Sequence, residues 1–270
     1  LAAARRPEGL LAALRSAQEG VDPSAPVFNA HPSGMGHLVN TLAENLGDRL
    51  RLRSTVTGLG RTDAGWLVGT AKGVEVADAV VLAVPAFVAA DLLAPIEAEA
   101  ADHLAQVPHA SVSLAAFAYR RSDLEVPGDQ SGFLVPRDAG LLLTACSYAG
   151  SKWAHLDTGD RVLLRLSAGR IDDSRHTEMD GDALERALAR DLATTIGVEA
   201  PPAAARISRW PRSLPQFSPG HADRMAAIDS RLAEVAPGLV VTGAFRHGVG
   251  IPACIRSGIE AAAAVAGHVA

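Results

Sequence analysis

The 270 residues are 48% hydrophobic, which is enough to bury the core of one large domain or of two smaller ones. A formal net charge of -5 argues against nucleic acid as the main partner, because a surface that follows phosphates needs clustered Lys and Arg. The two cysteines, Cys146 and Cys254, match no metal or redox spacing, and no apolar run is long enough for a transmembrane helix.

The first hundred residues alternate between helical and extended patterns. Pro7 suits the first turn of a helix that Gly20 ends, and VDPSAP is typical of a linker. A second helix, which Gly47 ends, has leucines on one face at Leu38, Leu42 and Leu46. Short strands with turns at TDAG and AKG follow. The run AVVLAVP does not alternate, as is typical of a strand covered on both faces in an α/β sheet, and FVAADLLAP is a short helix.

The pattern changes from Pro108 onward. Five strand-like runs are separated by polar turns, namely ASVSLAAFAYR, SGFLVP, GLLLTACSY, RVLLRLSAG and AAARISRW. One helix, GDALERALARDLATTIG, interrupts them and ends at Gly197. This order predicts a separate mixed or antiparallel sheet with a helix packed on it. The chain leaves this region near Trp210, PGLVVTGA returns as a buried strand, and SGIEAAAAVAGHV is the last helix. The fold class is therefore α/β with an added α+β region.

The segment GVGIPA, Gly248 to Ala253, has the spacing G-x-G-x-x-A of a dinucleotide-binding turn. Phe245, Arg246 and His247 separate it from the preceding strand, and the chain ends too soon after it to complete a βαβ unit. The segment can instead start a helix whose free amides and partial positive charge face a ligand. An ordinary glycine-rich connection between a strand and a helix is the alternative.

No self-contained catalytic set and no metal site emerge from the residue chemistry. The nine histidines form no H-x-x-x-H pair and no cluster with cysteine at ligand spacing, and G-x-S-x-G is absent. His221 and His247 are expected at the surface or in loops. We predict no catalytic side chain and no metal ligand.

Motifs along nearly the whole chain resemble protoporphyrinogen and coproporphyrinogen oxidases, FAD enzymes of the amine-oxidase-like superfamily. In order they are HPSGMGHLVNTLAENL, RSTVTGL, DAVVLAVPAFVAADLL, GFLVP, SKWA, LLRLSAGR, SRWPRSLPQFSPGH and PGLVVTGAFRHGVGIPACIRSG. The resemblance implies an FAD-binding, Rossmann-like domain interleaved with a substrate domain. It also implies oxidation of a porphyrinogen to a porphyrin by hydride transfer to flavin, which dioxygen reoxidises.

The resemblance also implies where the cofactor lies. Val56 is expected to touch the adenosine part of FAD through its backbone, and Trp210 to pack near the flavin, with simple core packing as the alternative for both. The cofactor channel is expected to be lined by Ala83, Val84 and Pro85. The pyrimidine end of the flavin ring is expected to meet Gly248, Val249, Gly250, Ile251 and Pro252, where a helix start favours negative charge on the reduced ring.

The propionates of a porphyrinogen require cations, and arginine suits carboxylates through its bidentate fork. Arg212 and Arg246 are the candidates, with Lys152 behind them, and solvent exposure is the alternative for each. The resemblance divides the chain into residues 1–30, a helical and linker segment of the substrate region, and 31–100, part of the FAD-binding domain. Residues 101–215 form the substrate-binding sheet domain, and residues 216–270 return to the FAD-binding domain.

One departure from the family pattern limits these expectations. The family begins with a G-x-G-x-x-G motif on an N-terminal βαβ unit, and the 270 residues contain none. We therefore predict that this chain alone binds FAD poorly. A fragment that serves as an interaction module and another flavin amine oxidase or a carotenoid desaturase relative are the alternatives. The expected location is the cytoplasm, with contact to a membrane surface through the substrate domain as an option, and an oligomer is left open.

Overall fold

The computed structural model describes residues 29–63 and 65–269. The described residues belong to two compact units, one ending at Gly47 and the other beginning at Asp48. The helix predicted from Pro7 to Gly20, the VDPSAP linker and most of the segment 1–30 lie outside the described residues. In the first unit, helix α1 (Gly36–Leu46) ends where Gly47 adopts a φ of 52° and donates its N–H to Ala43 O. The predicted second helix and its end are confirmed.

The second unit begins with a three-stranded antiparallel sheet of β1 (Val56–Thr62), β2 (Gly65–Thr70) and β3 (Gly73–Ala77). The predicted AKG turn joins β2 to β3. Its closing hydrogen bonds come from Thr70, whose hydroxyl donates to Gly73 O at 3.0 Å and accepts from Lys72 N at 3.2 Å. Trp66 on β2 is only 1% exposed and anchors this sheet to the core.

Strands from distant parts of the chain form a parallel pair. Strand β4 (Val80–Leu82) pairs with β10 (Leu239–Val241), with Val80 opposite Leu239. Helices α2 (Ala86–Leu93) and α3 (Ala98–Ala105) follow β4, helix α6 (His221–Val235) precedes β10, and α7 (Ala244–His247) and α8 (Ile251–Val269) follow it. Buried residues of these elements form one hydrophobic core, which includes Leu93, Ile228 and Phe245. The predicted buried strands and the α/β character are confirmed.

The remaining strands form a five-stranded antiparallel sheet in the order β6-β7-β8-β5-β9. Its members are β5 (His109–Arg120), β6 (Gly132–Leu134), β7 (Leu143–Tyr148), β8 (Arg161–Ala168) and β9 (Ala204–Pro215), and short helix α4 (Ala149–Lys152) follows β7. Alternate residues of β8 are buried, as a sheet with one covered face requires. Helix α5 (Gly181–Ile196) begins at Asp180, whose carboxylate accepts from Ala183 N, and it buries Leu184, Leu188 and Leu192 in a second hydrophobic core.

The sequence interpretation differs from the structure at several elements. Helices α3 and α6 were not predicted, and β9 continues beyond Trp210 to Pro215 through a bulge. The last helix begins at Ile251, six residues before the predicted SGIEAAAAVAGHV segment, because Pro252 fits a first helical turn. The buried residues fall into two cores, one from the five-stranded sheet and α5 and one from the parallel pair and its helices.

Candidate cofactor and substrate site

A cavity of about 200 Å³ lies where the chain leaves the two parallel strands. Ala83, Val84 and Pro85 follow β4 directly, and Gly243, Ala244 and Phe245 follow β10 after Thr242. All six residues line the cavity, together with His109, Ser213 and Pro215 from the neighbouring sheet. Ligands of α/β proteins bind outside the carboxyl ends of parallel strands, so this cavity is where the topology predicts a site.

The backbone at Gly243 allows the two strand ends to approach each other. Its φ is 137°, and a Cβ atom there would lie 3.4 Å from the Phe245 ring and 3.6 Å from Val84 O. Other L-residues rarely adopt this conformation. On the β4 side, Pro85 O accepts the amide hydrogens of Val88 and Ala89 and so starts α2. Both walls of the cavity are therefore fixed by backbone geometry.

His221 holds the Gly243 side of the cavity in place. The side chain is 3% exposed, and its Nε2 lies 2.6 Å from Phe245 O. Because a carbonyl oxygen only accepts, Nε2 carries the proton and donates it to Phe245. The expectation of a surface or loop position for His221 is wrong, since the residue starts the unpredicted helix α6, which packs in the core.

Arg212 lies in a bulge of β9. The bulge lies between the pairs Ala110–Leu214 and Val112–Trp210. There β5 has the single residue Ser111, whereas β9 has three residues. The middle one, Arg212, has a φ of 46° and donates its backbone N–H to the Ser111 hydroxyl at 3.0 Å. Bulges re-aim side chains, and this one brings the flanking Ser213 to the cavity wall.

The guanidinium of Arg212 lies over an aromatic ring beside the cavity. Its Cζ is 3.6 Å from the centre of the Phe87 ring, and His109 meets the same ring edge-on at 5.2 Å. Burial lowers the pKa of His109, its hydrogen bond to Val107 O raises the pKa, and the charge of Arg212 lowers it. A neutral His109 thus leaves Arg212 as the cation of this group, with its edge available to a carboxylate.

The structure does not bring Arg246 and Lys152 to this cavity. Arg246 is 12% exposed, pairs with Asp229 at 2.6 Å and lines a different cavity of about 410 Å³ between α6, β10 and α8. Lys152 ends α4 after β7, with its Nζ 3.1 Å from the Ser147 hydroxyl. Strands β8 and β5 separate β7 from β9. Both residues stay predictions as substrate contacts, and Arg212 is the candidate that lies beside the cavity.

Comparison with known proteins identifies the family. Residues 9–266 match the family model described as flavin containing amine oxidoreductase. The chain belongs to this family. A coproporphyrinogen III oxidase from Mycobacterium leprae is 33% identical over 266 residues, which are 97% of this chain and 57% of that protein. The coproporphyrinogen III oxidase of Bacillus subtilis is 28% identical over 82% of this chain and 48% of its own length.

A solved structure has the same fold as this chain. The crystal structure of a protein from Exiguobacterium sp. 255-15, named as a candidate protoporphyrinogen oxidase, superposes with a TM-score of 0.81 at 25% identity. The match covers 99% of this chain and 57% of that one. The chain spans about half the length of the curated relatives it matches. The interpretation of the motifs as a porphyrinogen oxidase resemblance and the predicted fold class are both confirmed.

The residues present fit part of a flavin, the cofactor of this family. The cavity has a backbone wall free of side chains at Gly243 and apolar walls at Val84, Pro85 and Phe245. Its volume of about 200 Å³ is below the roughly 300–1,000 Å³ of whole small-molecule pockets. The described residues therefore enclose less than a whole small-molecule site, and their contact with a flavin stays a prediction.

The other predicted cofactor contacts lie at accessible positions. Trp210 is 53% exposed and belongs to neither hydrophobic core of the described residues. Val56 is half-buried at the start of β1, an edge strand of its sheet within the described residues. Gly248 to Pro252 form the entry to α8, where Gly250 O accepts from Cys254 N at 3.0 Å and Val249 is 48% exposed. Their contacts with FAD stay predictions.

The described residues contain neither a candidate metal site nor a candidate transmembrane helix. Between residues 29 and 269, apart from Ala64, no three or more His, Cys, Asp or Glu side chains are grouped to hold a metal ion. In the same part of the chain, no helix has the length and hydropathy to cross a membrane.

Proposed function

We propose that this chain is part of an FAD-dependent enzyme that oxidises a porphyrinogen to the porphyrin, with dioxygen as the final electron acceptor. The observation that carries the proposal is the cavity at the ends of β4 and β10 with Arg212 beside it. The family membership and the coproporphyrinogen III oxidase relatives support the same chemistry. Coproporphyrinogen III is therefore the first substrate to test and protoporphyrinogen IX the second.

Bound flavin would supply the hydride acceptor, and the residues of this chain would bind and orient the reactants. The backbone at Ala83–Pro85 and Gly243–Phe245 forms an apolar wall against which a planar ring can lie. The start of α8 presents amides that favour negative charge nearby, although Pro252 contributes none. Arg212 would hold a propionate of the macrocycle through paired N–H groups, stacked on Phe87 to fix the plane of its guanidinium.

The family explains why no acid–base set was found in the sequence. Removing a hydride from a porphyrinogen carbon needs a positioned acceptor and a shielded ring more than a strong side-chain base. The polar groups around the cavity agree with this division of roles. His221 donates the proton of its Nε2 to the backbone carbonyl of Phe245. Burial together with the charge of Arg212 lowers the pKa of His109 despite its hydrogen bond to Val107 O.

The test uses the product of the intact gene that encodes these residues. It is assayed for flavin content and for the appearance of porphyrin fluorescence from coproporphyrinogen III and from protoporphyrinogen IX, each in air. We expect bound flavin and oxidation of at least one porphyrinogen, with the rate reduced in Arg212→Ala at low substrate. A product with neither bound flavin nor porphyrinogen oxidation would instead favour an interaction module.

A further inference from the structure

A buried serine–histidine network joins β5 to the 3₁₀ turn Arg175–Thr177. His176 Nδ1 lies 2.8 Å from the Ser113 hydroxyl, and both residues are 1% exposed. The other ring nitrogen, Nε2, lies 3.1 Å from Ser111 O. The carbonyl of Ser111 can only accept, so Nε2 carries the proton and Nδ1 accepts from the Ser113 hydroxyl. Burial lowers the pKa of His176, which keeps the ring in this neutral form.

Two further residues fix the position of this imidazole. Arg209 on β9 donates from Nη1 to His176 O at 2.7 Å and from Nη2 to Met179 O at 2.6 Å. Gly169, after β8, has a φ of 104°, and a Cβ atom there would lie 2.4 Å from His176 Nε2 and 2.5 Å from Ser111 O. The ring therefore occupies space that only glycine leaves free, and three parts of the sheet are connected through it.

The network ends at the bulge that displays Arg212. Ser111, whose carbonyl accepts from His176, uses its hydroxyl to accept the backbone N–H of Arg212 at 3.0 Å. Arg212 is one of only two non-glycine residues with positive φ among those described, and such a conformation persists only where surrounding contacts impose it. The Ser111 hydroxyl is the contact that the structure shows on this amide.

The need of buried polar groups for hydrogen-bond partners would by itself explain the pairing of His176 with Ser113. It does not explain the third member, because Ser111 is only half-buried and its hydroxyl could reach solvent. The hydroxyl instead holds a strained residue whose side chain lies against Phe87 and whose neighbour Ser213 lines the cavity. The network thus connects the sheet interior to Arg212, which lies beside the candidate site.

We propose that His176, which is held by Ser113 and acts through Ser111, is a positioning residue for carboxylate recognition. It fixes Ser111, whose hydroxyl holds Arg212 in its left-handed conformation, and so sets the guanidinium over Phe87 to receive a propionate of the macrocycle. The inference rests on the proposed function, since it requires a ligand with carboxylates. It adds three residues to the site that touch neither the cavity nor the ligand.

The test compares two porphyrins with the same ring. Coproporphyrin III carries free propionates, and its tetramethyl ester carries none, so the ratio of their dissociation constants measures carboxylate recognition. Binding to the 270-residue chain is followed by the porphyrin absorbance band. We expect the wild type to prefer the free acid, Arg212→Ala to lose this preference, and Ser111→Ala and His176→Phe to lower it by about tenfold, the effect of one charge-oriented hydrogen bond.

Matched variants separate positioning from loss of folding. Ser111→Thr keeps the hydroxyl and should restore the preference, whereas Ser208→Ala, on β9 opposite Leu114, should leave it unchanged. The backbone amide resonance of Arg212 should shift in Ser111→Ala and His176→Phe and return in Ser111→Thr. Thermal unfolding of each variant reports whether the fold is retained, and the ester affinity reports whether the apolar wall is intact.

The outcomes distinguish this inference from the proposed function. If Arg212→Ala abolishes the preference but Ser111→Ala and His176→Phe fold and retain it, positioning is overturned and the proposed function stands. If the wild type binds neither porphyrin, or binds both equally, carboxylate recognition by this chain is overturned, and the inference with it. Loss in Ser111→Ala with restoration in Ser111→Thr supports the network.

Discussion

The side chains that matter at this site are held by contacts that only a folded backbone provides. Arg212 lies over Phe87 because the bulge in β9 and the Ser111 hydroxyl fix its backbone. The wall opposite depends on Gly243, and the carbonyl of Phe245 is held by His221. A single substitution at any of these positions changes geometry before it changes chemistry.

Gly243→Ala should destabilise the chain. The φ of 137° is strained for any side chain, and the new Cβ would lie 3.4 Å from the Phe245 ring, so the free energy of unfolding should fall by about 1–3 kcal/mol. Gly258→Ala is the matched control, because Gly258 lies in α8 with no atom within 4 Å of a new Cβ. It should be neutral or stabilising by up to about 1 kcal/mol. Denaturant titration measures both, and equal effects would contradict the role of Gly243.

The two cysteines should react differently with an aromatic disulfide reagent. Cys146 is 2% exposed, and burial raises the pKa of its thiol to about 12, so almost no thiolate is present at neutral pH. Cys254 is only half-buried. One thiol should therefore react in the native chain and two after denaturation, and Cys254→Ser should abolish the native reaction. Rapid labelling of Cys146 in folded Cys254→Ser would show that the second core is open.

Elements differ in how far their sequence patterns predict them. The Gly197 end of α5 is a local signal that the structure confirms, and the alternating burial of β8 and the start of α5 at Asp180 are also set by local sequence. The bulge in β9 is not local, because it depends on the pairing of Ser111 with three residues around Arg212. Pro211, which has no amide hydrogen, marks an irregularity in the strand and was the available signal. The sequence analysis does not predict helix α6, HADRMAAIDSRLAEV, because its many polar residues resemble an exposed loop unless the spacing of Met225, Ile228 and Leu232 is counted.

The contact between α3 and α6 should depend on pH through Glu97. This residue starts α3, accepts from Ala100 N at 3.1 Å and pairs with Arg231 of α6 at 3.2 Å. Burial raises the pKa of Glu97, but the hydrogen bonds from Ala100 and Arg231 together lower the pKa by more than burial raises it, so the net shift is downward. A lowered pKa gives stability that is present above the ordinary glutamate pKa and is lost as pH falls through the folded value.

Glu97→Gln should therefore lower the melting temperature at neutral pH by about 2–4 °C, the size expected for one hydrogen bond in a chain of this length. The difference from wild type should disappear in acid, where the wild-type carboxyl is protonated. Glu99→Gln is the control, because Glu99 pairs with the same Arg231 but its side chain is 60% exposed. Calorimetry across the acid range checks this, and a difference that persists at low pH would contradict it.

At the scale of the whole molecule, family membership could be predicted from the sequence, whereas the arrangement of the site could not. The motifs around Trp210 and Gly250 predicted membership of a flavin oxidoreductase family, and the family match confirms that membership. They predicted three cations near the substrate, whereas Arg246 lies in an ion pair at another cavity and Lys152 follows β7, which two strands separate from β9. Sequence proximity to a motif does not say to which side of an element a charged group points.

The chain by itself should hold little flavin. Its cavity of about 200 Å³ is smaller than a whole small-molecule pocket, and the 270 residues contain no G-x-G-x-x-G turn for the pyrophosphate. Chain purified in the presence of added FAD and then dialysed should show flavin absorbance well below one equivalent. The product of the intact gene is the comparison, and stoichiometric, tightly held flavin in the 270-residue chain would contradict the expectation.

The parallel pair of β4 and β10 has a consequence for how the polypeptide reaches its native state. Val80 and Leu239 are direct partners. The core around them takes its side chains from two segments of the chain, one before and one after the segment that forms the five-stranded sheet. During synthesis, the core of that sheet, which ends at Val198, can assemble while residues beyond it are still on the ribosome. The core beneath the cavity must wait for Phe245, so the side chains that it takes from Trp66 to Val107 stay uncovered during that interval and are open to non-native contacts.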